Sequence, residues 1–315
     1  MSGDGDPVDR GRLLAVAYRL LGSYHDAEDA VQEALIRWEQ LGPQGRQDIR
    51  EPLAWLTRVV SRICLDQLGS ARARRERYTG VWLPEPVPGA LPLEGAGLPV
   101  PDEVSDPADV VTLDESVSMA LLFAMEQLSS AERVSLILHD VFGLSFGEIA
   151  DVVGRTPHAC RQLASSARRQ LRSRPRYAPS SRERDAVVAA FAKACADGDL
   201  ESLARVLDPD VVARADGGGL VSAARHPVVG LDRVARYLIG LRDKRRGDQL
   251  VGSLTTVNER TGIALSLGGT TIAVMDLGIR DGLVREIALV LNPEKLAVWN
   301  GHHGTESAPA DDQPE

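Results

Sequence analysis

The residues whose types and spacing are best suited to chemistry lie between Ser145 and Arg172, in SFGEIADVVGRTPHACRQLASSARRQLR. Thr156, His158, Arg161, Gln162 and Ser165 follow one another at helical intervals. Arginine and glutamine side chains form paired hydrogen bonds with the edges of guanine and adenine. Arg155, Arg168, Arg169 and Arg172 surround them and suit phosphate oxygens, contacts that position a duplex without reading it. Gly154 sits where the chain must turn. Thr156 can cap a new helix, with Pro157 at its first position. Ala150 leaves room for two helices to cross, and Cys160 and Leu163 can anchor the second on the first. This is the helix-turn-helix arrangement, whose second helix enters the major groove by its N-terminal residues. An ordinary hairpin with a solvated basic face is the plainer alternative. Against it, seven arginines and no acid lie between Arg155 and Arg176.

The whole chain carries a net charge of −9 over 315 residues, which looks wrong for a nucleic-acid binder. The distribution matters more than the sum. Four arginines and one acid occupy residues 72–77, whereas residues 78–132 hold no basic residue and many acids. Different stretches can therefore serve partners of opposite charge. Hydrophobic content of 43% and charged content of 26% are those of a globular protein. No apolar run approaches the roughly 20 residues of a membrane helix, and MSGDGDPVDRGR has no secretion core. These features predict a cytoplasmic protein. Cys64, Cys160 and Cys195 stand far apart in apolar helical settings and read as buried hydrophobes in a reducing compartment. No metal-ligand spacing is present, and no cofactor is implied.

The elements that must position these residues are largely helical as far as residue 176. Ala27, Ala30, Val31, Ala34, Leu35 and Trp38 form one helix face, opened by Ser23 or His25, with Asp26, Glu28, Asp29, Gln32 and Glu33 on the other faces. Leu53, Leu56, Val60, Ile63 and Cys64 form a second, with Arg58 and Arg62 outside and Pro52 in its first turn. Residues 78–113 are rich in proline, glycine and acid and read as an extended linker. Trp82, in WLPEP (82–86), is expected to pack on the first domain. Helices resume over 114–176, with Ser129 capping toward Glu132. After residue 182, helices over Asp185–Ala196, Leu200–Leu207 and Leu231–Leu241 give way to four β-rich runs between 250 and 292. Gly-Gly and Asp-Gly mark hairpin turns among them. The tail, 301–315, reads as disordered.

With these motifs in order, the chain resembles the extracytoplasmic-function (ECF) sigma factors of RNA polymerase. LLAVAYRLLGSYHDAEDAVQEALIRWEQL and EPLAWLTRVVSRICLDQLGSARARR resemble their second conserved domain, placed at 10–77. SSAERVSLILHDVFGLSFGEIADVVGRTPHACRQLASSARRQL resembles their fourth, placed at 114–176. The resemblance implies that Asp26, Glu28, Asp29, Gln32 and Glu33 clamp a basic coiled coil of core RNA polymerase. It implies that Arg58, Arg62, Arg72, Arg74, Arg75 and Arg77 serve the −10 element, with the loop 47–51 capturing an unstacked base. Arg58 and Arg62 also read as solvated helix charges. Arg155, Thr156, His158, Arg161, Gln162, Ser165, Arg168 and Arg169 would serve the −35 element. The linker acids Glu85, Glu94, Asp102, Glu103, Asp106 and Asp109 would mimic phosphate in the polymerase cleft, or merely solvate a tether.

Residues 182–300 resemble the SnoaL-like domain fused to one subgroup of that family, through WLPEP, DGGGL (216–220) and NPEKL (292–296). That subgroup carries lysine where this chain has Leu220. The expected fold is multidomain: two all-α domains, the second with the helix-turn-helix, then an α+β cone with a curved antiparallel sheet. Trp82, Pro84, Asp216, Gly217, Gly218, Gly219, Asn292 and Pro293 are the expected regulatory contacts. Some SnoaL-like domains are acid–base enzymes; Asp216, His226, Asp232 and Asp276 offer no convincing pair, so no catalysis is expected. The expected partners are core RNA polymerase, promoter DNA and an unidentified small ligand in the C-terminal domain, with no membrane. The rival reading is a one-component regulator that senses a ligand and binds an operator through the helix-turn-helix.

Overall fold

The computed structural model describes residues 9–76, 78–89, 117–172, 180–244 and 250–301. The tail beyond 301 lies outside them, as do the linker acids Glu94, Asp102, Glu103, Asp106 and Asp109. Eleven α-helices are described: α1 (Arg10–Leu21), α2 (Tyr24–Gln40), α3 (Gly42–Gln47), α4 (Pro52–Glu76), α5 (Met119–Met125), α6 (Ser130–Asp140), α7 (Phe146–Val153), α8 (Pro157–Arg172), α9 (Ser181–Asp197), α10 (Leu200–Val206) and α11 (Leu231–Asp243). Six strands follow α10: β1 (Leu207–Asp216), β2 (Val228–Val229), β3 (Leu250–Val257), β4 (Arg260–Leu267), β5 (Thr270–Arg280) and β6 (Leu283–Val290).

Local chemistry sets the helix starts. Ser23 opens α2, accepting from the Asp26 amide at 3.1 Å. Ser129, Ser145 and Ser180 each form a reciprocal capping box with the glutamate three residues on, at the starts of α6, α7 and α9. Gly154 closes α7 in the left-handed conformation, φ 70°, which its lack of Cβ permits. α4 runs past Cys64, the last residue of its apolar face named above, because GSARARRE (69–76), rich in alanine and arginine, continues it.

α1, α2 and α4 pack together, as do α6, α7 and α8, and α4 lies against both α6 and α7. As a result the two helical units share one continuous apolar core, from Leu13 and Leu20 through Cys64 to Phe142, Ile149 and Ala167. Across the junction, the Arg133 guanidinium donates to the Leu20 carbonyl at 2.9 Å and Arg19 lies over the Phe142 ring at 5.7 Å. Arg133 also pairs with Glu126, which completes its burial.

The sheet order is β2-β1-β6-β5-β4-β3. The expected antiparallel sheet is corrected here: β1 and β6 pair in parallel, the other neighbours antiparallel. β1 is not legible as a strand in the sequence because Asp208-Pro209-Asp210 interrupts it. Beyond that break, Val211, Ala213 and Ala215 alternate inward with period two. Register shifts in β1–β6, β4–β5 and β5–β6 bend the sheet. Its concave interior is filled by Phe191, Leu203, Leu238, Leu277 and Ile287 among others. Arg184 crosses from α9 to donate to Asp276 at 2.6 Å and to the carbonyls of Leu277 and Thr261.

Arg168 departs from the expected phosphate contact. Its guanidinium is taken by the buried Asp140 at 3.0 and 2.5 Å, fixing α8 on α6. Arg168→Ala should lower stability by about 3 kcal/mol, because it removes a partner from a buried carboxylate. Arg169→Ala, at an exposed site, should change it by less than about 0.5 kcal/mol. Chemical denaturation of both variants measures the contrast.

Candidate nucleic-acid interface and the lock beside it

On α8, His158, Arg161, Gln162, Ser165 and Arg169 are exposed, as are Arg155 and Thr156 in the turn before it. Thr156 caps the helix by accepting from the Ala159 amide at 3.2 Å. His158 and Gln162, one turn apart, are held 3.1 Å from each other. The Arg161 guanidinium itself lies over the Phe146 ring, 5.3 Å from its centroid. Cys160, Ala164 and Ala167 face inward and seat the helix. The arrangement offers a row of donors above an apolar base, with no carboxylate among the exposed side chains of α8.

On α2, Asp29, Gln32 and Glu33 are exposed and Asp26 and Glu28 half-buried. Glu33 pairs with Arg37 along the helix, and Asp29 lies 3.7 Å from His25. On α4, Arg62 is exposed. Arg58 is half-buried, its Nε donating to the Ala54 carbonyl at 3.3 Å. Arg72, Arg74 and Arg75 fall on the last turns of α4, whose side chains lie outside the described residues, as does Arg77.

Several of the remaining candidates gather around Asp216, which is fully buried. Its carboxylate accepts from the Tyr78 hydroxyl at 2.6 Å, the Leu83 amide at 2.9 Å, the Gly218 amide at 3.0 Å and Lys295 Nζ at 2.8 Å. Burial, then the facing Asp216 carboxylate, pushes the Tyr78 hydroxyl well above its ordinary range, so it stays a donor. Lys295 also donates to the Leu83 carbonyl and lies 4.2 Å from the Trp82 ring and 5.1 Å from the Tyr78 ring. Asn292 Nδ2 donates to Tyr78 Oη at 3.0 Å. Gly218 has φ 64°, and a Cβ there would lie 2.5 Å from the Asn292 amide. Pro293 is exposed and only starts the 3-10 turn Glu294–Leu296 that presents Lys295.

The linker segment 78–89 is thus an extended strap seated on the C-terminal domain and on α2 at once. Trp82 and Pro84 lie against Gly22, at the end of α1. Trp82 therefore packs on the first domain, as expected, but with Lys295 on its ring. Glu85, expected to mimic phosphate, is buried instead. It accepts from Ser23 Oγ at 2.9 Å, the Tyr24 amide at 2.6 Å and the His25 amide at 3.1 Å, so it caps the N-terminus of α2. Burial holds its carboxyl above the ordinary value, and these three donors offset part of that rise. Trp299 Nε1 donates to the Pro86 carbonyl at 2.8 Å.

Two residues of this lock escape a reading by motif. Asn258 Nδ2 donates to Tyr18 Oη and to the Val117 carbonyl, both at 2.7 Å, while the Val87 amide donates to its Oδ1 at 2.7 Å. Tyr18 in turn donates to the Glu85 carbonyl at 2.6 Å. The Val-Asn-Glu turn signals a hairpin, but nothing in sequence says what its amide meets. The acid–base candidates are engaged separately: Asp216 as above, Asp276 with Arg184, and Asp232 with Arg236 at 2.7 Å; His226 is exposed. Gly218→Ala should cost about 2 kcal/mol in backbone strain alone and displace Asn292. Limited proteolysis should then cut the strap at residues 78–89 faster than in the wild type.

Residues 9–74 match the model for Sigma-70 region 2, and residues 118–171 the model for Sigma-70, region 4. The chain is 37% identical over 299 residues to the ECF RNA polymerase sigma factor SigJ of Mycobacterium tuberculosis, covering 91% of this chain and 90% of that one. It is 40% identical over 242 residues to the probable ECF RNA polymerase sigma factor SigI of the same species, covering 74% and 77%. The crystal structure of M. tuberculosis SigJ superposes with a TM-score of 0.68 at 34% identity, over 92% of this chain and 96% of that one. No helix among the described residues is long and apolar enough to cross a membrane. Helix-turn-helix, acidic α2 and strapped C-terminal sheet thus occur in one chain with both sigma regions in order, and that chain belongs to the ECF RNA polymerase sigma factor family.

Proposed function

We propose that this sigma factor is controlled in cis by its C-terminal domain, which holds its two promoter-reading units together until initiation requires them apart. Asp26, Glu28, Asp29, Gln32 and Glu33 on α2 meet the basic coiled coil of core RNA polymerase, a pairing of opposite charges. α4, with Arg58, Arg62, Arg72, Arg74 and Arg75, serves the −10 element. α8, with Arg161 and Gln162 toward base edges and Arg155 and Arg169 toward phosphates, serves the −35 element.

One observation carries this reading: α4 packs directly on α6 and α7 within a single core. By their names the two promoter elements lie about 25 base pairs apart, or about 85 Å of duplex at about 3.4 Å per pair. Units that share a core cannot span that distance, so productive binding requires their separation. The C-terminal domain opposes separation by gripping the strap and both helical units. A small ligand would act at the junction of strap and domain, where a cavity of about 280 Å³ is lined by Thr79, Gly80, Gly219, Ser222 and Arg225. The rival one-component regulator has no need of a region matching Sigma-70 region 2.

Run-off transcription with purified core RNA polymerase and a promoter selected from a randomised library tests the control. Asp216→Ala removes the strap's anchor and should raise initiation several-fold over the wild type; equal initiation would sink control through this contact. Arg161→Ala should cost about 1–3 kcal/mol at a single base position of the −35 element, seen as relaxed preference there in binding selections.

A further inference from the structure

The manner of this control follows from which surfaces the lock covers and which it leaves open. This inference rests on the cis-control reading above and goes further, to how the restraint works. Among the described residues, α2 packs chiefly on α1, α3 and α4, with the strap's Glu85 at its N-terminus, and α8 chiefly on α6 and α7. The C-terminal domain reaches the first helical unit through the strap and Asn258, and the second through α5 and Val117. Leu83, Met119, Val257, Val274, Val290 and Leu296 form the apolar seam of that contact. Asp29, Gln32 and Glu33 on α2 are exposed, and so are Arg161, Gln162, Ser165 and Arg169 on α8. Among the described residues these exposed side chains lie outside the domain's contacts, while Asp26 and Glu28, next to the strap at the start of α2, are half-buried.

Asn258 is the point where all parts meet. It belongs to the β3–β4 hairpin turn, at φ 48°. Its side-chain amide has two donors and one acceptor engaged, one donor on each helical unit and the acceptor on the strap. Its own backbone amide donates to the Val87 carbonyl at 2.9 Å. The residue is 1% exposed, so these bonds do not compete with water, and losing one partner leaves buried polar groups unpaired.

We propose that Asn258 is a spacing latch: it ties Tyr18 to Val117, so that the closed chain still binds core RNA polymerase but cannot set its two DNA-reading units at promoter distance. The C-terminal domain restrains by geometry, not by masking. The closed chain docks on polymerase through α2 as tightly as an opened one, and the restraint falls on the later step, engagement of both promoter elements.

Two variants separate the latch from the fold. Asn258→Gly removes the amide while keeping a residue that adopts positive φ in the hairpin turn. Tyr18→Phe removes only the hydroxyl from the other side. With full-length proteins, affinity for purified core polymerase is measured by fluorescence anisotropy and initiation by run-off on the selected promoter. Dyes on Glu39→Cys in α2 and Asp151→Cys in α7 report the separation of the helical units. Expected are core affinities within about twofold of the wild type, at least about tenfold more initiation from both variants, and a longer dye distance on polymerase-free variants. Core affinity rising in step with initiation would mean masking and would overturn the proposal. So would unchanged initiation in both variants. If Asp216→Ala also leaves initiation unchanged, the cis-control reading itself fails. If Asp216→Ala raises initiation and the latch variants do not, only the latch fails.

Discussion

A carboxylate buried away from water must find partners, because the desolvation of an unpaired charge costs several kcal/mol. Asp216 meets that requirement with groups from two distant parts of the chain. Gly218 and Lys295 come from its own domain, and the Tyr78 hydroxyl and Leu83 amide come from the strap. Without the strap, two of its four acceptor contacts are lost and the aromatic rings beside Lys295 go with them. The strap is therefore part of the C-terminal domain in energetic terms, although it lies more than a hundred residues upstream. Once it is seated, Trp82 meets the end of α1 and Glu85 reaches the start of α2. That one buried charge thereby helps to place the N-terminal unit against the C-terminal domain.

The shared core of the two helical units sets the cost of opening. Phe142, Leu20 and their neighbours lose apolar contact when α1 and α4 part from α6 and α7. Arg133 would leave the Leu20 carbonyl, and Arg19 the Phe142 ring. A ligand shifts such an equilibrium only by as much as it prefers one state over the other. Under the proposed control, polymerase and promoter together would supply that preference by binding the units apart. The C-terminal domain adds contacts to the closed side through the strap and Asn258.

Charge is divided in the same way. A net charge of −9 would repel DNA if it were spread evenly. The fold instead places an acidic face on α2 and a basic face on α8, each on the exposed side of its own three-helix packing. Carboxylates and arginines that would blur this division are drawn inward: Glu85 under α2, Asp140 onto Arg168, and Asp276 onto Arg184.

The sequence by itself determined the local structure and the family. Helical periodicity, serine–glutamate caps, Gly154 and Pro157 are short-range signals, and each acts within one or two turns of chain. They made α2, α4 and α6 to α8 legible, along with the outward side chains of the recognition helix. WLPEP, DGGGL and NPEKL marked segments that meet around Asp216, without saying what they touch. Only the tertiary structure decided the partners. It turned Arg168 from a phosphate contact into the mate of Asp140, and Glu85 from an exposed acid into a helix cap. It paired β1 with β6 in parallel and brought Asn258 to Tyr18 across 240 residues of sequence. The physical reason is burial. Whether a charged or amide side chain faces water or another buried group depends on the packing of distant elements, and spacing along the chain does not record it.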